Sequence, residues 1–250
     1  MPDEPSLEAQ ALSEAAQMRI STQLDEVENL SVDVRTNLFK MIQGQAESIA
    51  IAGQGLVIQK DIRVHELELH TDNIAIDLLS AIFGEIELDK PVYANVRIVL
   101  TEQDINRALN SDYVRRKFQS LELKVESQTV TLKPQQLEVF LPGDGKTGFK
   151  GTILLNELGK TECVSFTAVI RPRLMNQPLL LEAFNCTEGK GFSLELAIAF
   201  LKKASELMNL PYFDLEGIAL RIKAMDVQEG SLTLHTEAYV KQIPDLGDEI

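Results

Sequence analysis

Two histidines in the first half of the sequence are the residues most suggestive of a metal site. His65 and His70 enclose the segment Glu66–Leu69, and histidine with glutamate is a common zinc donor set. The zinc-protease helix places its histidines four apart on one face, whereas these are five apart in a strand-like segment. Odd spacing on a strand directs the two rings to opposite faces. We therefore predict no metal site, and His235 is the one histidine elsewhere in the sequence.

Two glycine-rich segments match nucleotide-binding loops only in part. Residues 143–147 (Gly-Asp-Gly-Lys-Thr) end like a phosphate loop, but Phe140 occupies the position of its first glycine and a strand-like segment follows. Residues 189–191 (Gly-Lys-Gly) lack the third glycine of a dinucleotide fingerprint, because Leu194 stands there. The first segment is predicted to be a hairpin turn. The sequence predicts no cofactor.

No residue pattern identifies a nucleophile or a general base. A nucleophile elbow is absent from the sequence, and neither Cys163 nor Cys186 has a catalytic signature around it. The two cysteines are predicted to be reduced, partly buried thiols. We therefore predict no catalytic residue and no enzyme activity, with an enzyme whose site leaves no motif as a third alternative.

The densest basic cluster consists of Arg115, Arg116 and Lys117. Positive charges at the C-terminal end of a helix are stabilised by the helix dipole, so the cluster is typical of an exposed helix end. The alternative interpretation is a contact site for an anionic lipid head group or an acidic partner. Both interpretations stay open from the sequence.

Composition restricts the classes of partner. The 250 residues are 44% hydrophobic and 25% charged, which is typical of a globular protein, and the net charge is −14. This charge argues against nucleic-acid binding and against attraction to an anionic membrane surface. No stretch approaches the roughly 20 apolar residues of a spanning helix, and residues 1–5 do not resemble a signal peptide. We expect a cytoplasmic protein, peripheral to a membrane at most.

The elements that position these residues follow from periodicity. Residues 6–29 have apolar side chains at helical spacing, and the first 33 residues carry eight acids against one base. We predict an acidic amphipathic helix within residues 1–30 and one α+β domain over residues 31–250. The alternation changes phase between Val64 and Leu67, which predicts a β-bulge at 65–66. Residues 101–104 (Thr-Glu-Gln-Asp) match a helix capping box.

Antiparallel strands, a late helix and two closing strands are predicted after the capping box. The late helix spans residues 192–208 and is apolar on nearly all sides. A helix of this kind must be enclosed on most of its surface.

Six short segments follow one another in a distinctive order over roughly residues 30 to 240. They are Gly53–Leu56, Asn73–Leu79, Pro91–Val96, Leu100–Asn106, Arg171–Arg173 and the stretch from Asn209–Pro211 to Ile218–Leu220. In this order they resemble the LmeA-like phospholipid-binding family of bacteria. The resemblance implies a tubular lipid-binding fold, in which long helices pack against a strongly curled antiparallel sheet and leave an apolar tunnel. It implies phospholipid binding in envelope lipid metabolism, and no catalytic residue.

The late helix fits this expectation, because one flank can serve the core and another a ligand. The alternative is that all of its apolar side chains belong to the core. We predict that a phospholipid or similar amphiphile contacts Phe192, Leu194, Leu196, Ile198, Phe200, Leu201, Ala204 and Met208. The basic cluster would then meet the head group. The alternative is an interaction or assembly protein without lipid, which binds a basic protein partner through its acidic N-terminal helix.

Overall fold

The computed structural model describes residues 7–58, 61–75, 88–117, 119–125, 128–157, 160–172, 180–188, 194–208, 213–215 and 218–241. Five helices lie in these ranges: α1 (Leu7–Gln23), α2 (Leu38–Ile42), α3 (Glu102–Leu109), α4 (Asp112–Lys117) and α5 (Leu194–Met208). The strands in the same ranges are β1 (Asn29–Arg35), β2 (Gln45–Val57), β3 (Arg63–Ala75), β4 (Val92–Thr101), β5 (Leu121–Val125), β6 (Gln128–Gly143), β7 (Lys146–Glu157), β8 (Lys160–Arg171), β9 (Leu180–Glu188), β10 (Phe213–Leu215), β11 (Ile218–Gln228) and β12 (Ser231–Val240).

The strands form two sheets. One has seven strands in the order β1-β2-β3-β4-β12-β11-β10, and the other has five in the order β5-β6-β7-β8-β9. Sequential neighbours pair in antiparallel register, as between β1 and β2 and between β7 and β8. The predicted fold class, α+β and built on a curled antiparallel sheet, is confirmed.

Packing divides the chain into two compact units. The first unit comprises Met1–Val99, Pro211–Ala224 and Leu234–Ile250, and the second comprises Leu100–Leu210 and Met225–Thr233. The five-stranded sheet lies within the second unit.

Alternation along β1 buries one face of the first unit's edge strand. Leu30, Val32 and Val34 are buried while the residues between them are exposed, as expected of a strand with one face in a core. The helix predicted over residues 6–29 ends at Gln23, and α1 packs on β1. The N–H of Val34 donates to the Ser13 hydroxyl at 2.9 Å.

Strand β3 shows that the predicted bulge is wrong. The pairing of β2 with β3 keeps one register from Gln45↔Ala75 to Val57↔Arg63. The change of phase has another cause: Val64 and Ile74 are buried on one face, whereas Leu67 and Leu69 pack on the other, against the cluster around Val96. With an unbroken register, two residues five apart on β3 point to opposite faces.

The core of the second unit joins the five-stranded sheet to α5. Buried side chains from β5, β6, β7 and β8 meet Leu196 of α5 in one cluster. The cluster consists of Leu123, Val130, Leu132, Ile153, Leu155, Val164, Phe166, Ala168 and Leu196.

The segment Leu100–Asn106 docks α3 on the edge of β6. The predicted capping box is confirmed: the Thr101 hydroxyl accepts from the N–H of Asp104 at 3.1 Å, and the Asp104 carboxylate accepts from the N–H of Thr101 at 3.1 Å. Beyond the cap, the Glu102 carboxylate accepts from the N–H of Leu141 at 2.7 Å. The Asn106 amide donates to the carbonyl of Val139 and accepts from its N–H, both at 2.7 Å. Two side chains of α3 thus replace a neighbouring strand along this part of β6.

Candidate functional site

An apolar cavity of about 240 Å³ lies in the second unit, between α5 and the five-stranded sheet. Only apolar side chains line it, so it has no polar partner for water. The lining consists of Leu121, Leu132, Pro134, Leu137, Phe149, Ile153, Phe166, Ala168, Ile170, Leu181, Phe184, Ala197 and Phe200.

The sheet side of the cavity follows from alternation along β8. Val164, Phe166, Ala168 and Ile170 are buried at every second position, and the last three face the cavity. Ala168 stands between two large side chains, and its small size leaves room there. On β9, the Phe184 ring stacks on Phe166 with centroids 6.0 Å apart.

Ala197 and Phe200 supply the helix side of the cavity, three residues apart on one face of α5. Phe200 is 39% exposed, so this lining residue lies at the boundary between the cavity and the surface. Leu196 is buried in the core cluster, and Ile198 is 56% exposed and outside the lining.

The predicted ligand residues are placed as follows. Phe200 lines the cavity, Leu196 lies in the core and Ile198 is exposed. Phe192 lies outside the described residues, and the structure describes the helix but not the side chains at Leu194, Leu201, Ala204 and Met208. Sequence reasoning did not assign Ala197 or any strand residue to the site; the alternation of β8 indicates a buried face but not that this face meets α5.

A cluster of charged side chains connects β9 with β7 and β8. Glu182 of β9 pairs with Lys146 of β7 at 3.1 Å and with Arg171 of β8 at 3.0 Å, and the Arg171 guanidinium also donates to the carbonyl of Asp144. Hydrogen bonds from Lys146 and then Arg171 lower the pKa of the Glu182 carboxyl. Because Leu181 and Phe184 of β9 line the cavity, this cluster anchors a strand of its wall.

Glu182→Gln should destabilise the fold in a pH-dependent way. A carboxyl with a lowered folded-state pKa stabilises the fold above its ordinary value of 4.5, and this contribution is lost as the pH falls through the lower folded-state pKa. We expect the Tm at pH 7 to fall by about 1–3 °C, a small effect because the group is exposed. The difference should shrink below pH 4.5. Glu138→Gln, at an exposed position on β6, is the control, and a pH-independent difference would contradict the account.

The basic cluster lies on α4. Arg115 and Arg116 are exposed, the side chain of Lys117 is not described, and α4 ends four residues before the lining residue Leu121. The Arg115 guanidinium donates to the Asn110 side chain at 3.3 Å, which holds it at the surface of the helix.

A second concavity, of about 640 Å³, lies on the first unit and is mixed in character. Its charged side chains include Arg97, which pairs with both Glu66 and Glu68 at 3.2 and 3.3 Å. Lys223 pairs with Glu237 at 3.0 Å. Among the described residues, no three His, Cys, Asp or Glu side chains lie close enough together to hold a metal ion.

Both cysteines are free and exposed in the structure. The prediction of partly buried thiols is therefore wrong for Cys163 and Cys186. Alternation explains Cys163, because its neighbour Val164 takes the buried position on β8.

Comparison with known proteins identifies the family of the chain. No curated protein and no solved structure matches the chain. Within the described ranges, no helix has the length and apolar composition to cross a membrane. The sequence profile described as LmeA-like phospholipid-binding matches residues 5–237, which is nearly all of the chain. The chain therefore belongs to the LmeA-like phospholipid-binding family.

Proposed function

We propose that the protein binds a phospholipid or similar amphiphile without catalysis, with part of an acyl chain in the cavity between α5 and the five-stranded sheet. The observation that carries this proposal is the wholly apolar lining of that cavity. Such a cavity stays dry when empty, and its walls lose the contacts that a close-packed interior makes. An acyl chain restores these contacts and leaves water at the same time.

The size of the cavity favours a chain segment over a whole lipid. At about 240 Å³ it is smaller than the roughly 300–1,000 Å³ of pockets that enclose drug-sized ligands. Each buried methylene contributes about 0.8 kcal/mol, from which the cost of ordering the acyl chain on binding is subtracted. The head group and the rest of the lipid would lie outside, on the side where Phe200 is exposed.

The chemistry of the lining supports binding over catalysis. None of the thirteen lining side chains carries a titratable or nucleophilic group, whereas general acid–base or nucleophilic catalysis needs such groups within about 3 Å of the substrate. The family description also names binding rather than a reaction.

The proposed location is the cytoplasm, at the surface of a membrane. Two free, exposed cysteines are typical of a reducing compartment. A protein that exchanges an acyl chain with a bilayer must also meet that bilayer.

Extraction of the purified protein with organic solvent, followed by mass spectrometry, tests the proposal. We expect about one phospholipid per chain, or uptake of one after incubation with vesicles. A protein that carries no lipid and takes none up would contradict the proposal and favour the interaction function through the acidic helix.

We further propose that Arg115, Arg116 and Lys117 contact an anionic head group. Arginine can bind a phosphate through two parallel donors, and lysine acts as a point charge. Replacing all three by Ser should weaken binding to anionic vesicles by about tenfold and flatten its salt dependence. The Tm should change little, because Arg115 and Arg116 are exposed.

The control for this triple variant removes the same charge elsewhere in the second unit. Lys124, Lys133 and Lys150 are exposed on β5, β6 and β7, and all three are replaced by Ser. An equal loss of binding to anionic vesicles in both triple variants would show that only the net charge of the protein matters. Equal loss on uncharged vesicles would show that the α4 cluster acts through local folding.

A further inference from the structure

The short helix α2 connects two adjacent strands of the first unit and turns its apolar face to solvent. It lies in the turn between β1, which ends at Arg35, and β2, which begins at Gln45. Leu38, Phe39 and Ile42 are 53%, 73% and 67% exposed. At about 100° per residue these three side chains fall within one arc of about 100°, so they form one continuous apolar face.

The polar residues of α2 make bonds at the surface, to one another and to β2. The Lys40 ammonium pairs with Glu47 of β2 at 2.9 Å, and the Asn37 side chain caps the helix by accepting from the N–H of Lys40 at 3.0 Å. The Thr36 hydroxyl donates to the carbonyl of Gln45 at 2.8 Å. These bonds hold α2 in an orientation opposite to that of an ordinary surface helix, whose apolar stripe faces the core.

The charges around α2 indicate what kind of surface would cover it. The two cations nearest in sequence, Arg35 and Lys40, are each paired, with Asp33 at 3.4 Å and with Glu47 at 2.9 Å. These two ion pairs beside the apolar face carry no net charge, while the whole chain carries −14. An anionic surface would repel the chain, whereas a zwitterionic one would not.

The area of the apolar face favours a bilayer over a protein as the partner of α2. A stable protein–protein interface buries about 1,200–2,000 Å², far more than three side chains of a five-residue helix provide. Insertion into the boundary of a bilayer needs no complementary surface, and aromatic and aliphatic side chains are the ones that enter it.

We propose that α2 is a membrane-insertion element, whose Leu38, Phe39 and Ile42 enter the apolar boundary of a zwitterionic phospholipid bilayer. The polar frame of Asn37, Lys40 and Glu47 keeps the helix in the orientation for insertion. The inference does not depend on a lipid in the cavity of the second unit, because it rests on a different unit and a different surface.

A tryptophan at position 39 provides the test, because the chain has no tryptophan of its own. Phe39→Trp is mixed with phosphatidylcholine vesicles, and its emission is recorded with and without lipids brominated along the acyl chain. We expect solvent-exposed emission without vesicles, then a blue shift of about 10–20 nm with strong quenching by brominated lipid as the ring becomes buried among apolar chains.

Met18→Trp is the matched control. Met18 is 70% exposed on α1 and lies five residues beyond Ser13, which contacts Val34 near the end of β1. It is thus about 7.5 Å farther along α1, toward the end of the helix at Gln23, after which the N–H of Asp25 donates to the carbonyl of Val57. We expect little shift at position 18. No shift at position 39, or equal shifts at both positions, would overturn the inference.

Two further outcomes address the other occupants of the face. Blue-shifted emission at position 39 without vesicles would show that the chain itself covers α2, and a shift that grows with protein concentration would show a second copy. Either result would overturn the inference.

A second variant replaces Leu38, Phe39 and Ile42 together by Ser. It should lower co-sedimentation with phosphatidylcholine vesicles by about tenfold or more, and Met18→Ser is its control. Unchanged co-sedimentation would also overturn it. Ala197→Phe, which is designed to block the cavity, should still co-sediment.

Discussion

Ala197→Phe is expected to abolish lipid uptake while leaving the fold intact. Ala197 is buried on α5 and lines the cavity, so a phenyl ring there should occupy the space that an acyl chain needs. We expect bound phospholipid per chain to fall at least about tenfold, a loss of about 1.4 kcal/mol or more. Overpacking a filled core costs about 1–3 kcal/mol, but here the ring enters an existing void. The Tm should therefore stay close to that of the unchanged protein.

Ala183→Phe is the matched control, because Ala183 is exposed on β9 and does not line the cavity. It should leave lipid uptake unchanged. Normal lipid uptake by a folded Ala197→Phe would place the lipid elsewhere. A large fall in the Tm of Ala197→Phe, measured on lipid-free protein, would instead mean that α5 and the sheet are already close-packed.

A charged side chain in place of Phe200 tests the helix side of the cavity. Phe200→Asp places a carboxylate in the apolar lining, where an unpaired charge is strongly disfavoured, so lipid uptake should fall by a similar factor. Ile198→Asp is the comparison, since Ile198 is more exposed and lies outside the lining. Sequence reasoning assigned both residues to the ligand. Loss of uptake in both variants would favour that wider assignment over the cavity alone.

Asn106→Ala should give the largest loss of stability among the polar substitutions considered. The Asn106 amide satisfies both the N–H and the carbonyl of Val139 at 2.7 Å, and Val139 is buried. The variant loses two hydrogen bonds and leaves backbone groups without a protein partner, at about 1–3 kcal/mol each when buried. We expect the free energy of unfolding to fall by about 2–4 kcal/mol. Urea denaturation measures it.

Gln103→Ala on the same helix is the control, because Gln103 is exposed. It should cost less than about 0.5 kcal/mol. Equal effects of the two variants would mean that the contact of Asn106 with β6 adds nothing to the stability. Preserved stability in Asn106→Ala would show that water replaces the amide at this strand edge.

Local features of the sequence were sufficient to predict local features of the fold. The capping box of Thr101 and Asp104 forms because its partners are three residues apart. The turn at residues 143–145 also forms, with positive φ of 84°, 52° and 69° at Gly143, Asp144 and Gly145, because these residue types tolerate that backbone. Neither feature needs information from a distant part of the chain.

Long-range pairing explains what the sequence did not predict. A change of phase on β3 resembles a bulge, but a strand can also bury residues on both faces when each face meets a different neighbour, as Val64 and Leu67 do. Likewise, the role of Asn106 as a substitute for a neighbouring strand is visible only once α3 lies on β6.

The full lining of the cavity could not be predicted from the sequence for the same reason. Apolar composition predicts that α5 is enclosed on most of its surface, but it cannot separate the stripe that faces the cavity from the exposed side at Ile198. The strand residues of the lining depend on which sheet faces α5, and alternation alone cannot decide this. In α2, a five-residue apolar helix within a β-hairpin has too few turns for a helical period to be detected.

Photo-crosslinking with a phospholipid that carries a diazirine in the middle of one acyl chain tests acyl-chain binding between α5 and the five-stranded sheet. After irradiation and proteolysis, mass spectrometry identifies the labelled peptides. We predict that label concentrates on α5 around Ala197 and Phe200 and on β8 around Phe166 and Ala168, and that Ala197→Phe removes it. Label confined to other surfaces, or unchanged in Ala197→Phe, would contradict acyl-chain binding between α5 and the five-stranded sheet.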